Sequence, residues 1–484
     1  MLINLDGQGA LYAQIYRALR RAILNGELAP GARLPATRAL CEVLGVSRNV
    51  VLLAYDQLLA EGYLAGRVGS GSYVASPLPE QMLRAPKSSA AEAPGPPGPA
   101  RLSAYARRAL LGAATGRTQS DEAAPRYDFR YGPTNLDGVA LSVWRRLLAQ
   151  HAALPPITYS PAEGSPALRA AVADYVRRCR GVRCDAEQVL IVTGSQQALD
   201  LVGRVLLEAG DRVLIEEPHY RGARAAFLSA GAELLPVEVD GEGFDIAAGE
   251  GSDARLAYVT PSHQFPTGAV MSLARRLALL QWAAREDAYV VEDDYDSEYR
   301  YEGRPVEAVQ GLDRHGRTLY IGTFSKVLFP ALRLGYLVVP PELAPAFAAA
   351  KWLADRHTPT LEQEALAELI AGGHFERHLR RKRREHAVRR ETLLAALAEQ
   401  LGERAEPCGT QAGVHLLVWL PGVALSDLEP LVERAARADV GVYSIAPYYL
   451  NPPDRAGLLL GYANLSEEEI REGVRRLATV IREG

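Results

Sequence analysis

The hydrophobic pattern of the chain changes period twice. Residues 11–25 read L-Y-A-Q-I-Y-R-A-L-R-R-A-I-L-N, with Leu11, Ile15, Leu19 and Ile23 at every fourth position and Ala18 and Ala22 beside them. That spacing predicts one apolar helical face. Asn25-Gly26 ends the helix and Pro30-Gly31 makes a turn. Pro35 opens a second helix running to about Leu44, and Gly45 sits at a sharp turn. Ser47 is the expected N-cap of a third helix over 48–61. After Gly62, Y-L-A-G-R-V-G-S-G-S-Y-V-A reads as two short strands around a glycine-rich tip. Two helices on a tight glycine turn, followed by a β-wing, predict a winged helix-turn-helix over 1–75.

Periodicity then disappears. Residues 76–124 form a Pro/Ala/Gly-rich linker (A-P-G-P-P-G-P-A), a composition that buries no core. Within it, residues 101–111 have helical character, as a short docking helix or as more of the tether. From Gln188 onward, strand-like runs (V-L-I-V-T, R-V-L-I-E, E-L-L-P-V) alternate with helical ones. The expected fold class for 125–484 is therefore α/β, with a mostly parallel sheet and a small C-terminal α+β subdomain from about 341.

Composition narrows the class. At 484 residues the chain exceeds one ordinary core, and its 48% hydrophobic and 23% charged content is that of a soluble globular protein. A formal net charge of −4 excludes a protein coated in basic charge and leaves room for one basic face. Four scattered cysteines have no His or Cys partners at zinc spacing, so reduced thiols and no metal site are expected. The N-terminus lacks a basic region followed by an apolar one, and no run of 18 apolar residues occurs. The expected location is cytoplasmic, without a membrane span.

The first domain places Ser47, Arg48 and Asn49 at the N-terminal end of its last helix, where free N–H groups and the helix dipole meet phosphates in a major groove. Arg33, Arg38 and Arg67 add phosphate contacts around it. The run L-P-A-T-R-A-L...L-G-V-S-R-N-V-V...L-A-E-G-Y...G-S-G-S-Y-V resembles the GntR family of bacterial regulators. The resemblance implies a double-stranded DNA operator as partner.

The second domain centres on residues 322–336, G-T-F-S-K-V-L-F-P-A-L-R-L-G-Y. This stretch resembles the cofactor-lysine segment of fold-type I pyridoxal 5'-phosphate (PLP) enzymes. The resemblance implies a Schiff base between Lys326 and PLP, and a phosphate held by Thr323, Ser325 and Arg333. Gly194, Ser195 and Gln196 stand at a strand-to-helix junction that suits a phosphate, although a helix cap by Ser195 would look the same. Tyr220 either stacks on the cofactor ring or packs in its turn. Asp293 follows an apolar strand and is the expected partner of the pyridine nitrogen, with Asp294 in the same acidic run as the alternative. Tyr295 is the expected donor to the phenolic oxygen. In P-S-H-Q-F-P-T-G, Phe265 takes the place of the asparagine that many aminotransferases carry, after His263 and Gln264. Tyr159 matches the tyrosine that reaches the phosphate of the partner subunit, which implies a homodimer.

Two further features bear on chemistry. A typical aminotransferase grips the substrate carboxylate with an arginine near its last strand. Here G-L-L-L-G-Y-A-N has Leu459 at that place, with Arg455 four residues earlier as a substitute. The basic run R-H-L-R-R-K-R-R-E-H over 377–386 is either a DNA contact or, more simply, a solvated helix face.

A GntR-type winged helix, a linker and a fold-type I PLP domain, in that order, resemble the MocR/GabR-type transcription regulators. The resemblance implies a PLP-dependent DNA-binding regulator that senses an amine or amino-acid effector, or PLP itself, at Lys326. The alternative is an active PLP-dependent aminotransferase carrying a DNA-binding domain. Phe265 and the missing arginine imply weak or partial transamination at most.

Overall fold

The computed structural model describes residues 4–67, 71–79, 100–116, 125–132, 134, 136–153, 158–303 and 306–483. The chain divides into two compact units, 1–100 and 101–484.

The first unit holds helices Leu11–Leu24, Thr37–Leu44 and Arg48–Ala60, then strands β1 (Leu64–Arg67) and β2 (Gly71–Val74). Ile15, Leu19 and Ile23 are buried against Leu40, Val51 and Leu58. Leu11, the first residue of the expected face, is exposed. The second helix begins two residues after Pro35, whose carbonyl instead accepts the Tyr55 hydroxyl at 2.8 Å. Gly45 closes that helix in the left-handed region (φ 65°), the conformation glycine adopts without steric cost. Ser47 occupies the N-cap position of Arg48–Ala60, but its side chain makes no capping hydrogen bond. β1 and β2 pair antiparallel, Leu64 opposite Val74 and Arg67 opposite Gly71, and form the wing.

The second unit opens with helix Ala104–Gly116, which packs on helix Arg221–Ala230. A Cβ on Gly112 would lie 2.7 Å from the Ala225 carbonyl oxygen, so the two backbones approach closely. Arg108 donates to the carbonyls of Ser229 and Ala230. The helical stretch seen in the sequence is thus a docked helix.

Its strands, in chain order, are β3 (Tyr127–Asp128), β4 (Val189–Val192), β5 (Arg212–Glu217), β6 (Glu233–Asp240), β7 (Gly243–Phe244), β8 (Ala254–Val259), β9 (Tyr289–Asp294), β10 (Thr318–Thr323), β11 (Gly335–Val338), β12 (Glu406–Cys408), β13 (His415–Ala424), β14 (Val440–Gly441), β15 (Tyr443–Ser444) and β16 (Arg455–Gly461). The main sheet has eight strands in the order β4-β11-β10-β9-β8-β5-β6-β7. Its centre, β10-β9-β8-β5-β6, is parallel, and β11 runs antiparallel to both β10 and β4. Parallel strands buried on both faces need near-continuous apolar runs, as V-L-I in β5 and L-A-Y-V in β8 supply. A second sheet, β12-β13-β16-β15, packs with helices Leu425–Arg437 and Glu467–Glu483 through Leu416, Leu458, Leu431 and Leu477.

The basic run lies in the long helix His374–Leu401. Arg377, Arg380, Arg383 and Arg384 are exposed, as a solvated face requires. His378, Lys382 and His386, spaced by four, are buried on the opposite face. His378 Nδ1 lies 2.9 Å from Asp137 Oδ2, and its Nε2 2.9 Å from the Val327 carbonyl, just after Lys326.

Gly164 ties this fold together. Its φ is 105°, and a Cβ there would lie 2.6 Å from Ile191 Cβ and 2.9 Å from Gln363 Oε1. Gly164→Ala therefore adds backbone strain to a clash. The expected loss of stability is about 2–4 kcal/mol, read as a lower unfolding midpoint of the second unit in denaturant.

Candidate cofactor-binding site

The carboxyl ends of β8, β9 and β10 carry the charged floor of a cleft. In open parallel sheets this is where ligands sit. Asp293, near the end of β9, is 4% exposed. Its Oδ2 accepts the Tyr258 hydroxyl at 2.8 Å, and its Oδ1 has no hydrogen-bond partner among the described residues. Burial, reinforced by Asp294, pushes the Asp293 carboxyl up to about 7, against the Tyr258 hydrogen bond. Asp294 points the other way, because strand residues alternate. Its Oδ2 accepts from Arg180 Nε at 2.7 Å and from the Tyr320 hydroxyl at 2.5 Å. Asp294 therefore belongs to a buried ion pair, and Asp293 faces the cleft.

Lys326 follows β10. Its Nζ lies 4.1 Å from the centre of the Tyr131 ring, and a Cβ on Gly132 would come within 3.0 Å of it. Loss of water contact pulls the lysine down to about 8; Asp296 and Asp293 oppose that shift. The Ser325 backbone N–H donates to Thr323 Oγ1 at 3.1 Å. Ser325 Oγ is buried without a hydrogen-bond partner. Gly322 stands opposite Tyr336 across the β10–β11 pair, and any Cβ there would fall 2.1 Å from Tyr336 Cζ. That contact explains the glycine four residues before the lysine.

Arg333 adopts a left-handed conformation (φ 52°), unusual for a residue with a side chain. The turn sends its guanidinium back over Gly194, and Nη2 donates to the Thr193 carbonyl at 3.1 Å. A Cβ on Gly194 would lie 2.7 Å from Nη2. Gly194, not Ser195, is the N-cap of helix Ser195–Leu206, which excludes the capping role for Ser195. The Gln196 side chain donates to the Gly222 carbonyl at 3.1 Å. Arg333 and the helix N-terminus at Gly194 lie together, an arrangement whose charge and N–H groups suit an anion.

Aromatic rings close the cleft. Phe265 packs against Tyr131 at 4.9 Å, Tyr448 at 5.4 Å, Tyr295 at 5.8 Å and Tyr220 at 5.9 Å between centroids. Leu459 joins the same apolar cluster. Arg455 is not brought there; its guanidinium stacks on Trp419 at 3.7 Å. The Tyr295 hydroxyl lies 3.0 Å from His263 Nδ1. Tyr159 is 77% exposed and stacks with Arg356, away from this cluster within the chain. In the first unit Arg33, Arg38, Ser47, Arg48 and Asn49 are exposed. Arg67 ends β1, and its side chain lies outside the described residues.

Sequence reasoning missed Tyr131, Tyr258, Asp296 and His415. Tyr131 lies in an irregular loop with no period to read. Tyr258 was within reach: it pairs with Val291, two residues before Asp293 and so on the same face.

Comparisons with known proteins give the family and the fold. Residues 11–74 match the gntR family of bacterial regulatory proteins, and residues 134–477 match aminotransferase class I and II, a fold family that depends on PLP. The class is thus a gntR-type winged helix joined to an aminotransferase fold. The probable rhizopine catabolism regulatory protein MocR of Rhizobium meliloti is 41% identical over 480 residues, covering 99% of this chain and 95% of that one. The regulator TauR of Rhodobacter capsulatus is 32% identical, covering 98% and 97%. The solved α-aminoadipate aminotransferase LysN of Thermus thermophilus, complexed with N-(5'-phosphopyridoxyl)-L-leucine, superposes with a TM-score of 0.69 at 33% identity, over 77% of this chain and 97% of that one. The chain belongs to the MocR/GabR-type subfamily of gntR transcription regulators.

The residues present fit PLP. Asp293 Oδ1 and Ser325 Oγ are buried oxygens without partners, and the bare Gly194 leaves space beneath Arg333. The Asp293 shift has a testable sign. An acid with a raised native pKa binds more protons folded than unfolded, so stability falls as pH rises from about 4 to about 7. Asp293→Asn removes that loss. In cofactor-free protein the variant's gain in melting temperature over the parent is expected to be larger at pH 8 than at pH 5, by differential scanning fluorimetry.

Proposed function

We propose that this regulator binds PLP at Lys326 and couples occupancy of that site by a small amine or amino acid to recognition of a DNA operator. The observation that carries it is the convergence of a low-pKa lysine, an orphaned buried carboxylate and an arginine-topped helix N-terminus in one cleft. Bound PLP supplies an aldehyde that condenses with primary amines and a ring that withdraws electrons.

The chain's own residues divide that work. Lys326, with a pKa of about 8, is deprotonated often enough at neutral pH to act as a nucleophile. Asp293 offers its free oxygen to a ring N–H, and a cation there draws its proton off. Arg333, Ser325 and the N-terminus at Ser195 hold the phosphate; Thr323 fixes the Ser325 backbone. Tyr295 donates to the phenolic oxygen, and Tyr220 and Phe265 bound the ring. With Lys326 released by an effector amine, its Nζ would be a proton site favoured by Asp296 and Asp293, the proton coming from the effector's ammonium group. Charge and packing at the cleft then differ between two states, and differential contacts shift operator affinity. Tyr159 completes the phosphate site of a partner subunit in a cytoplasmic homodimer, and the linker is the stretch from residue 76 up to the docked helix Ala104–Gly116. Leu459 in the apolar wall favours sensing over rapid turnover of α-amino acids.

The DNA-reading end is Ser47–Asn49, with Arg33, Arg38 and Arg67 on phosphates. Arg48→Ala is expected to weaken operator binding about 10-fold or more and to flatten its salt dependence by about one unit of slope, measured by fluorescence anisotropy across salt concentrations. Lys326→Ala tests the coupling. Its operator affinity is expected to be indifferent to the amine that moves the parent. Equal responses in both proteins would contradict the covalent switch.

A further inference from the structure

His263 and Asp296 lie beside the lysine, 2% and 1% exposed. His263 Nδ1 is 3.1 Å from both Asp296 oxygens and 3.0 Å from the Tyr295 hydroxyl oxygen. One ring nitrogen therefore serves both neighbours. An ionised carboxylate only accepts, so Asp296 selects the tautomer with the proton on Nδ1. That single N–H is forked between the carboxylate and the tyrosine oxygen. A tyrosine oxygen that accepts from His263 must aim its own O–H elsewhere. Elsewhere is the cleft, because among the described residues no partner but His263 lies within hydrogen-bond reach of the Tyr295 hydroxyl.

The cradle around the imidazole is tight. A Cβ on Gly413 would fall 2.0 Å from His263 Cε1 and 2.8 Å from Asp296 Oδ2, and one on Gly268 would fall 3.0 Å from Nε2. The ring thus has little room to turn. His415 lies alongside at 5.0 Å between ring centres, with its Nε2 3.2 Å from the Pro266 carbonyl oxygen. The titratable and charged groups facing this corner are Lys326, Asp293, Asp296, Glu216, Arg333, His415, Tyr131 and Tyr220.

We propose that His263, held by Asp296, is a positioning residue that makes Tyr295 an obligate donor to the phenolic oxygen of lysine-bound PLP. This rests on the PLP reading above. It gives the departure at Phe265 a physical consequence: the asparagine donor is gone, and a His–Asp pair controls the donor that remains. A hydrogen bond to the phenolic oxygen draws electron density from it and loosens its grip on the Schiff-base proton. His263 therefore lowers the Schiff-base pKa through Tyr295, against the direct pull of the Asp296 charge, which raises it.

The test is a pH titration of the Schiff-base absorbance of the full-length protein loaded with PLP. Tyr295→Phe is expected to raise the apparent pKa by about one pH unit, tenfold in proton affinity. Asp296→Asn also removes a negative charge that itself raises the lysine's pKa, so the histidine variants carry the test. His263→Ala, which lets Tyr295 turn its O–H away from the cofactor, is expected to reproduce at least half of the Tyr295→Phe rise, and the double variant with Tyr295→Phe goes no higher than Tyr295→Phe alone. His263→Asn, whose amide N–H falls near the Nδ1 position, stays near the parent. If Tyr295→Phe rises while His263→Ala titrates like the parent, merely binding PLP less tightly, the pair is structural and the proposal is overturned. A Tyr295→Phe protein that titrates like the parent overturns it as well. Absence of any Schiff-base band in the parent sinks the PLP reading itself and takes this proposal with it. Should His263→Ala fail to fold, His263→Leu, close to the imidazole in volume and without a donor, decides.

Discussion

Everything at the site depends on keeping opposite charges out of water at the ends of two parallel strands. The cost of burying a charge moves a lysine down and an aspartate up until both are poised near neutrality. Neither shift needs a special residue. Each follows from a cleft whose floor is the sheet and whose walls are aromatic rings. The same burial would be ruinous if the neighbouring acids were unsatisfied. Glu292 accepts the backbone N–H groups of Val309 and Gln310, and Asp294 takes Arg180 and Tyr320. Three consecutive acids on β9 thus divide by the strand's pleat. Glu292 and the Oδ2 of Asp294 tie down the scaffold, and Asp293 and Asp294 each keep Oδ1 without a partner among the described residues.

That division marks the limit of what the sequence discloses. The winged helix was legible because its apolar spacing, its glycine turn and its strand pattern all belong to short local elements. The α/β alternation was legible for the same reason. The choice between Asp293 and Asp294 was not, since adjacent acids read alike until a register assigns their faces. Capping by Ser195 likewise read as well as phosphate binding, until the turn placed Gly194 at the cap. The basic run misled in part. Its exposed arginines are the solvated face, yet His378, Lys382 and His386 at every fourth position carry the helix onto the core. Charge in a sequence reports composition, and only the helical period says which charges meet water.

The subfamily membership and the cleft fit one another. An aminotransferase fold retains the lysine, the acid and the phosphate place, while Leu459 and Phe265 replace polar groups with apolar contact. Such a cleft favours holding an amine over processing it quickly. A regulator needs occupancy that persists, and differential contact between its free and occupied states. In the proposed function the exposed Arg48 and Asn49 of the winged helix are the readout.

The central claim is that one lysine carries PLP. The chain has four lysines, Lys87, Lys326, Lys351 and Lys382, so the claim resolves at residue level. Lys351 and Lys382 are buried against Asp355 and Glu385, each bound by its carboxylate. Protein incubated with PLP, reduced with borohydride and digested is to be mapped by mass spectrometry. The account predicts the phosphopyridoxyl mass on the peptide containing Lys326, in amounts approaching one per chain. A PLP adduct confined to another lysine, or none at all, would contradict it.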